Sequence, residues 1–244
     1  MRRRGSSDVT ARQLPLIIPS GPAYHETSFV ADLSNKTART WLERTEIWPD
    51  RRLALWGEAG RGKTHLLRIW AARSGADVID GSSLAGFPQM LPLVSAAVDD
   101  ADRADPTALL HLLNTARDLG QPVLLAGRAP PALWFSSLAD LDSRLRAMTA
   151  VEIEAADDDL LRRLLLRWLS DRRLVADEAL HDWLLLRLPR RPEALFAAVA
   201  RLDEGALTSR KRVVTPKMVR DALAAVMSNG ETFLSGRSAP ESSR

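Results

Sequence analysis

Between Gly57 and Thr64 the chain runs Gly-Glu-Ala-Gly-Arg-Gly-Lys-Thr, which satisfies the spacing G-x-x-x-x-G-K-[ST]. A loop of this kind holds phosphate. Glycine at 57 and 62 permits positive φ and removes Cβ atoms that would crowd an anion. Gly60 is counted with them as a phosphate-contacting position. Backbone N–H groups of the loop and of the following helix N-terminus then face the negative charge. Lys63 is expected to reach the β- and γ-phosphates, and the Thr64 hydroxyl to hold Mg2+. A second pair of chemistry-bearing residues, Asp99-Asp100, closes the apolar run Ala96-Ala97-Val98. Asp99 is expected to hold the same Mg2+ through water, and Asp100 stands where a water-activating base would lie. Because Asp100 is a methylene shorter than glutamate, slow hydrolysis is expected.

Those residues need a scaffold of alternating strands and helices. Strands are expected at Arg52–Trp56, Asp77–Asp80, Val94–Asp99, Val123–Ala126 and Val151–Glu154. Helices are expected at 37–43, Lys63–Arg73, Pro106–Leu119 and Leu138–Arg146. Asp105 as cap, Pro106 at the first helical position and Gly120 past the end punctuate the third of these. Alternation of this kind implies a mainly parallel sheet covered on both faces. Beyond Ala155 the strand signal stops. Asp157 opens a helix with Leu161, Leu164, Leu165, Trp168 and Leu169 at helical spacing. Three more helices are expected after Asp177, Pro192 and Pro216. The expected division is a tail at 1–22, an α/β nucleotide-binding domain at 23–155, a helical lid domain at 156–227 and a disordered tail at 228–244.

Composition sets outer bounds. Of 244 residues 45% are hydrophobic and 27% charged, enough for a core in one or two domains. No apolar run is long enough to span a bilayer, so no membrane role is expected. Without cysteine there is neither a disulfide framework nor a thiolate metal site, and a cytoplasmic location is expected. The net charge of +3 does not by itself argue for nucleic-acid binding, since arginines and acids are interspersed.

The order of domains, with a phosphate loop at the front, resembles the AAA+ ATPases, and within them the DnaA family. The segment Tyr24…Phe29-Val30…Ser34-Asn35…Ala38 is similar to the Y-x-x-x-x-F-V-x-x-x-S-N-x-x-A of that family's ATPase domain. Gly62-Lys63-Thr64-His65-Leu66-Leu67 matches its G-K-T-H-L-L, and Asp99-Asp100 its paired acids. Ala129-Pro130-Pro131 and Leu141-Asp142-Ser143-Arg144-Leu145 are similar to its R-P-P and arginine-finger segments. The resemblance implies a P-loop AAA+ parallel sheet sandwiched by helices, followed by a small all-helical lid. It also implies ADP or ATP as cofactor, with His65 beside the nucleotide and Arg144 acting in trans as an arginine finger, Arg146 being its rival. In the lid, Arg190 aligns with the arginine that touches the chain's own nucleotide, and Arg191 is adjacent to it. The family carries an acid before R-P-P, whereas here the stretch is Ala126-Gly127-Arg128-Ala129-Pro130-Pro131. That departure implies weak hydrolysis by the chain itself.

Only a short tail precedes the expected core, and the sequence ends soon after the lid, so the resemblance is to the Hda branch of the family. Arg12-Gln13-Leu14-Pro15-Leu16 is similar to the Q-L-x-L peptide with which that branch docks on the DNA polymerase III sliding clamp. Gln13 would offer its amide at a pocket edge, Leu14 and Leu16 would fill an apolar pocket, and Pro15 stiffens the extended chain. The partners implied are DnaA and the clamp, with DNA reached indirectly through the clamp; a homodimer stays open. A DNA-binding initiator or loader ATPase acting directly on DNA is the alternative.

Overall fold

The computed structural model describes residues 29–86, 95–134, 137–209 and 212–235. The tail with Gln13, Leu14 and Leu16, as well as Tyr24 and Val94, lies outside the described residues.

The sheet is parallel throughout and has the order β2-β3-β4-β1-β5. Its strands are β1 (Arg52–Trp56), β2 (Asp77–Asp80), β3 (Ala96–Asp99), β4 (Val123–Gly127) and β5 (Ala150–Glu152). Period-2 alternation divides the central strands between two cores. Ala54, Val98, Val123 and Leu125 face one side. Leu53, Leu55, Ala97, Leu124 and Ala126 face the other. On the first side lie α3 (Pro106–Asp118), through Leu109, Leu112 and Leu113, and α4 (Ala139–Ala147), through Leu141 and Leu145. On the second lie α1 (Lys36–Leu42), through Ala38 and Leu42, and α2 (Lys63–Ser74), through Leu66, Leu67 and Trp70. Strands buried on both faces read as apolar runs, which is why β1 and β4 are legible as strands without strict alternation.

Caps behave as their residue types demand. The Asp105 carboxylate accepts from the Ala108 amide (2.9 Å) ahead of Pro106. Asp157 does the same for Leu160 (2.7 Å), and Asp177 for Leu180 (2.8 Å). Tryptophan serves packing: Trp48 and Trp70 stack at 5.2 Å within the second core. Their indole N–H groups donate to Trp41 O and Thr45 Oγ1 respectively.

The lid is a bundle of α5 (Asp158–Asp171), α6 (Glu178–Arg187), α7 (Pro192–Ser209) and α8 (Pro216–Ser235) around a leucine-rich core of its own. Most boundaries fall within a residue or two of expectation, and two of the differences need comment. The last strand is Ala150–Glu152 rather than Val151–Glu154, although the Ile153 amide still donates to Trp56 O at 2.8 Å. Helix α8 runs on to Ser235 and so takes in eight residues assigned to a disordered tail. Propagating a helix already formed costs far less than nucleating one, so Ser228, Asn229 and Gly230 are carried along despite weak propensity.

Candidate functional site

The phosphate loop leaves β1 at Trp56 and enters α2 at Lys63. Gly57 has φ 149°, and a Cβ there would stand 2.7 Å from Ile153 O, so the close approach of the chain just past β5 excludes a side chain. Gly62 caps α2 at φ 90°, the left-handed conformation that glycine adopts without penalty. Lys63 is buried, and its Nζ donates to Gly57 O (2.6 Å) and Glu58 O (2.8 Å). Burial lowers its pKa below the ordinary lysine value; Asp100 and Asp99 oppose the shift, and Arg128 adds to it. An anion in the loop would favour the charged amine that burial disfavours. Thr64 follows at the second residue of α2 and is partly exposed.

Asp99 and Asp100 end β3 at the same edge of the sheet as the loop, near enough to act on Lys63. Asp99 Oδ1 accepts from the Asp100 amide (3.1 Å), and Asp100 itself is left-handed at φ 47°. Strain of this kind in a non-glycine residue collects at working sites. Among the described residues no group of three or more His, Asp or Glu side chains could hold a metal unaided. The set Thr64 plus Asp99 fits Mg2+, which takes one or two protein ligands and completes its shell with water and phosphate.

A cavity of about 390 Å3 opens beside the loop. Gly60, Gly62 and His65 line it from the loop, Phe29 and Asn35 from the leading segment, and Phe196 from the lid. Its size suits a mononucleotide. Phe29 meets the His65 ring edge-on at 5.1 Å. The paired Ser34-Asn35 shapes this wall. Asn35 accepts from the Asp32 amide (3.1 Å) and donates to Val30 O (3.1 Å), and Ser34 O accepts from the Glu154 amide (3.0 Å).

The structure brings Gly57, Gly60, Gly62, Lys63, Thr64, His65, Asp99 and Asp100 together at the carboxyl ends of the strands. It keeps Arg144 apart. That guanidinium lies on α4, bound twice to Asp140 (3.1 and 3.0 Å), and its charge acts on Arg52 at the start of β1. Arg146 is exposed. Arg190 pairs with Asp158 on α5, and Arg191 is exposed. The lid side chain that meets the loop is Glu193, whose carboxylate a Cβ on Gly60 would overlap.

Arg128 is a further residue here that no motif singled out. Its amide donates to Asp102 (3.2 Å), and its exposed side chain is close enough to depress Lys63. The signal was its position: one residue past β4, the strand lying between β1 and β3, where ligands of open α/β sheets bind.

No protein-family model matches the chain. An uncharacterized protein of Haemophilus influenzae is 25% identical over 179 residues, 66% of this chain and 77% of its own length. Among solved structures, domain III of the Thermotoga maritima replication initiation protein DnaA superposes with TM-score 0.69. That match has 20% identity and covers 86% of this chain and 99% of the domain. The replication initiator DnaA bound to AMPPCP and single-stranded DNA gives TM-score 0.63 at 21% identity, over 78% of this chain and 69% of that one. The Thermotoga maritima RuvB Holliday junction branch migration motor gives 0.59 at 20% identity, over 79% and 68%.

The fold is that of the AAA+ ATPases. Within the AAA+ framework β1 carries the phosphate loop, β3 ends in the paired acids and α5–α8 form the lid. Among the described residues no helix is long and apolar enough to cross a membrane.

Proposed function

We propose that the chain is an Hda-like regulator of chromosome replication initiation. It would carry ADP, dock on the DNA polymerase III sliding clamp through Gln13, Leu14 and Leu16, and stimulate hydrolysis of ATP held by DnaA. A loop of glycines at positive φ around a buried Lys63, whose pKa burial lowers, supports nucleotide binding. The likeness to a DnaA solved with AMPPCP supports it further.

The observation that carries the regulatory reading is the separation of Arg144 from the loop. The charges acting on Lys63 include Asp100, Asp99, Arg128 and Asp102, whereas Arg144 acts on Arg52 at the far end of β1. A guanidinium so placed serves a neighbour's nucleotide better than its own. Two bonds from Asp140 aim it, which lowers the cost of orienting it in a complex.

Roles follow for this chain's residues. Amides around Gly57, Gly60 and Gly62 and the Lys63 amine would hold the phosphates, while Thr64 and Asp99 would hold Mg2+. His65 and Arg190, or Arg191 beside it, would contact the nucleotide from the loop and the lid. When bound, the nucleotide with its metal supplies a compact charge that core and lid both contact. Arg144 would stabilise charge developing on the phosphoryl oxygens of DnaA-bound ATP. Asp100 stands where a base would act on this chain's own nucleotide. No acid or amide side chain accompanies it after β4, which supports weak hydrolysis in cis.

The test is hydrolysis of DnaA-bound ATP with DNA-loaded clamp, comparing wild type with Arg144→Ala and Gln13→Ala. Stimulation is expected to vanish with the first and to fall strongly with the second; full activity in both would overturn the reading. The likeness to a DnaA bound to single-stranded DNA favours one rival, a chain that acts on DNA directly. That rival predicts strongly salt-dependent DNA binding without clamp.

A further inference from the structure

We propose that Glu193 sets how much phosphate charge the loop accepts and so discriminates against a triphosphate. The inference rests on the nucleotide reading above and adds to it a residue that no motif marks.

Helix α7 begins with Pro192, which lines the cavity, so Glu193 falls in its first turn. From there the carboxylate lies on Gly60, so close that a Cβ would overlap Cδ and both oxygens. Gly60 is the middle glycine of the loop and has φ 77°. A negative charge therefore stands beside loop amides that attract anions. Each added phosphate charge near Gly60 is repelled at short range, an effect that water screens in part because the carboxylate is exposed.

Among the described residues, three cations around the cavity are engaged with other partners. Arg61, next in the loop, is turned toward Glu58 (3.1 Å) and Glu152 (3.5 Å) and donates to Ile153 O (3.2 Å). Arg190 is held by Asp158. Arg172 lies over the Phe196 ring at 5.0 Å. The cavity wall also includes Glu154, together with Asp171 and Asp203, which pair with Arg167 and Arg212 respectively. Lys63 and Arg128 supply positive charge on the core side of the loop, and Glu193 opposes it from the lid.

A triphosphate brings more negative charge than a diphosphate, so the penalty falls on it more heavily. Removing the charge while keeping the shape should relieve the triphosphate selectively. The experiment titrates the full chain with Mg2+·ADP and Mg2+·AMPPCP by calorimetry, for wild type, Glu193→Gln and Glu193→Ala. Wild type is expected to bind the diphosphate about tenfold more tightly. Glu193→Gln should strengthen AMPPCP binding about tenfold and change ADP binding by less than about threefold. Glu193 is exposed at the helix surface, so both variants should fold. Equal wild-type affinities, or a ratio unmoved by Glu193→Gln, would overturn the proposal and leave nucleotide binding intact. Relief by Glu193→Ala alone would mark obstruction rather than charge and would overturn it too. If none of the three proteins bound either compound, the nucleotide reading would fall and the proposal with it.

Discussion

Residue by residue, the site is a contest over charge around one buried amine. Lys63 is held by two carbonyls and disfavoured by burial, with Asp99 and Asp100 on one side and Arg128 on the other. Phosphate would complete that arrangement, so ligand should stabilise the fold by mass action. At a hundred times Kd the gain is about 2.7 kcal/mol, read as a rise in Tm with Mg2+·ADP. Lys63→Ala should abolish the rise. Arg128→Ala should weaken ADP roughly three- to tenfold without lowering the Tm of the free protein, because its side chain is exposed. An unchanged ADP affinity would remove Arg128 from the site. The loop was legible because its residues are contiguous and their spacing is itself the mechanism. Arg128 and Glu193 were not, because their nearness to the loop depends on which strand ends and which helix the fold sets beside it.

Among the elements, the capped helix starts were the legible parts. Asp105-Pro106 and Asp157 name their own positions through capping chemistry. The end of α8 was not legible, since a glycine inside a helix weakens it without having to end it. The tie between lid and core was also hidden. Arg163 on α5 pairs with Asp32 and donates to Ala31 O (3.0 Å), joining residues more than a hundred positions apart. Burial pushes the Asp32 carboxyl up, yet hydrogen bonds from the Ser34 amide and hydroxyl and from Arg163 hold it below its usual value. A carboxyl depressed on folding adds stability above its unfolded pKa, and the gain is lost as pH falls through the folded one. Asp32→Ala should therefore cost about 1–3 kcal/mol near neutral pH. Urea unfolding followed against pH should show the gap to wild type holding above about pH 5 and closing below about pH 4. A gap independent of pH would mean that the side chain matters through shape alone.

Taken as a whole, the molecule sets the Gly57–Thr64 loop and Arg144 in separate surroundings. The phosphate loop lies at the carboxyl ends of the strands, while Arg144 shares the electrostatic surroundings of Arg52, at the start of β1. On the proposed reading the AAA+ core is an adaptor, its own nucleotide bracing the lid and its arginine serving a neighbour. Asp140 is then a positioning residue, because it touches Arg144 and not the substrate. Arg144→Ala should lower the maximal rate of DnaA-bound ATP hydrolysis by about 10^3 or more. Asp140→Asn keeps the guanidinium charged but loosens its aim, so a several-fold loss in rate with unchanged half-saturation is expected. The double variant decides between aiming and an independent role. If Asp140 acts only through Arg144, the two losses will not add, and the double variant will match Arg144→Ala. A further drop would show that Asp140 works elsewhere, either by capping α4 or by meeting the partner itself.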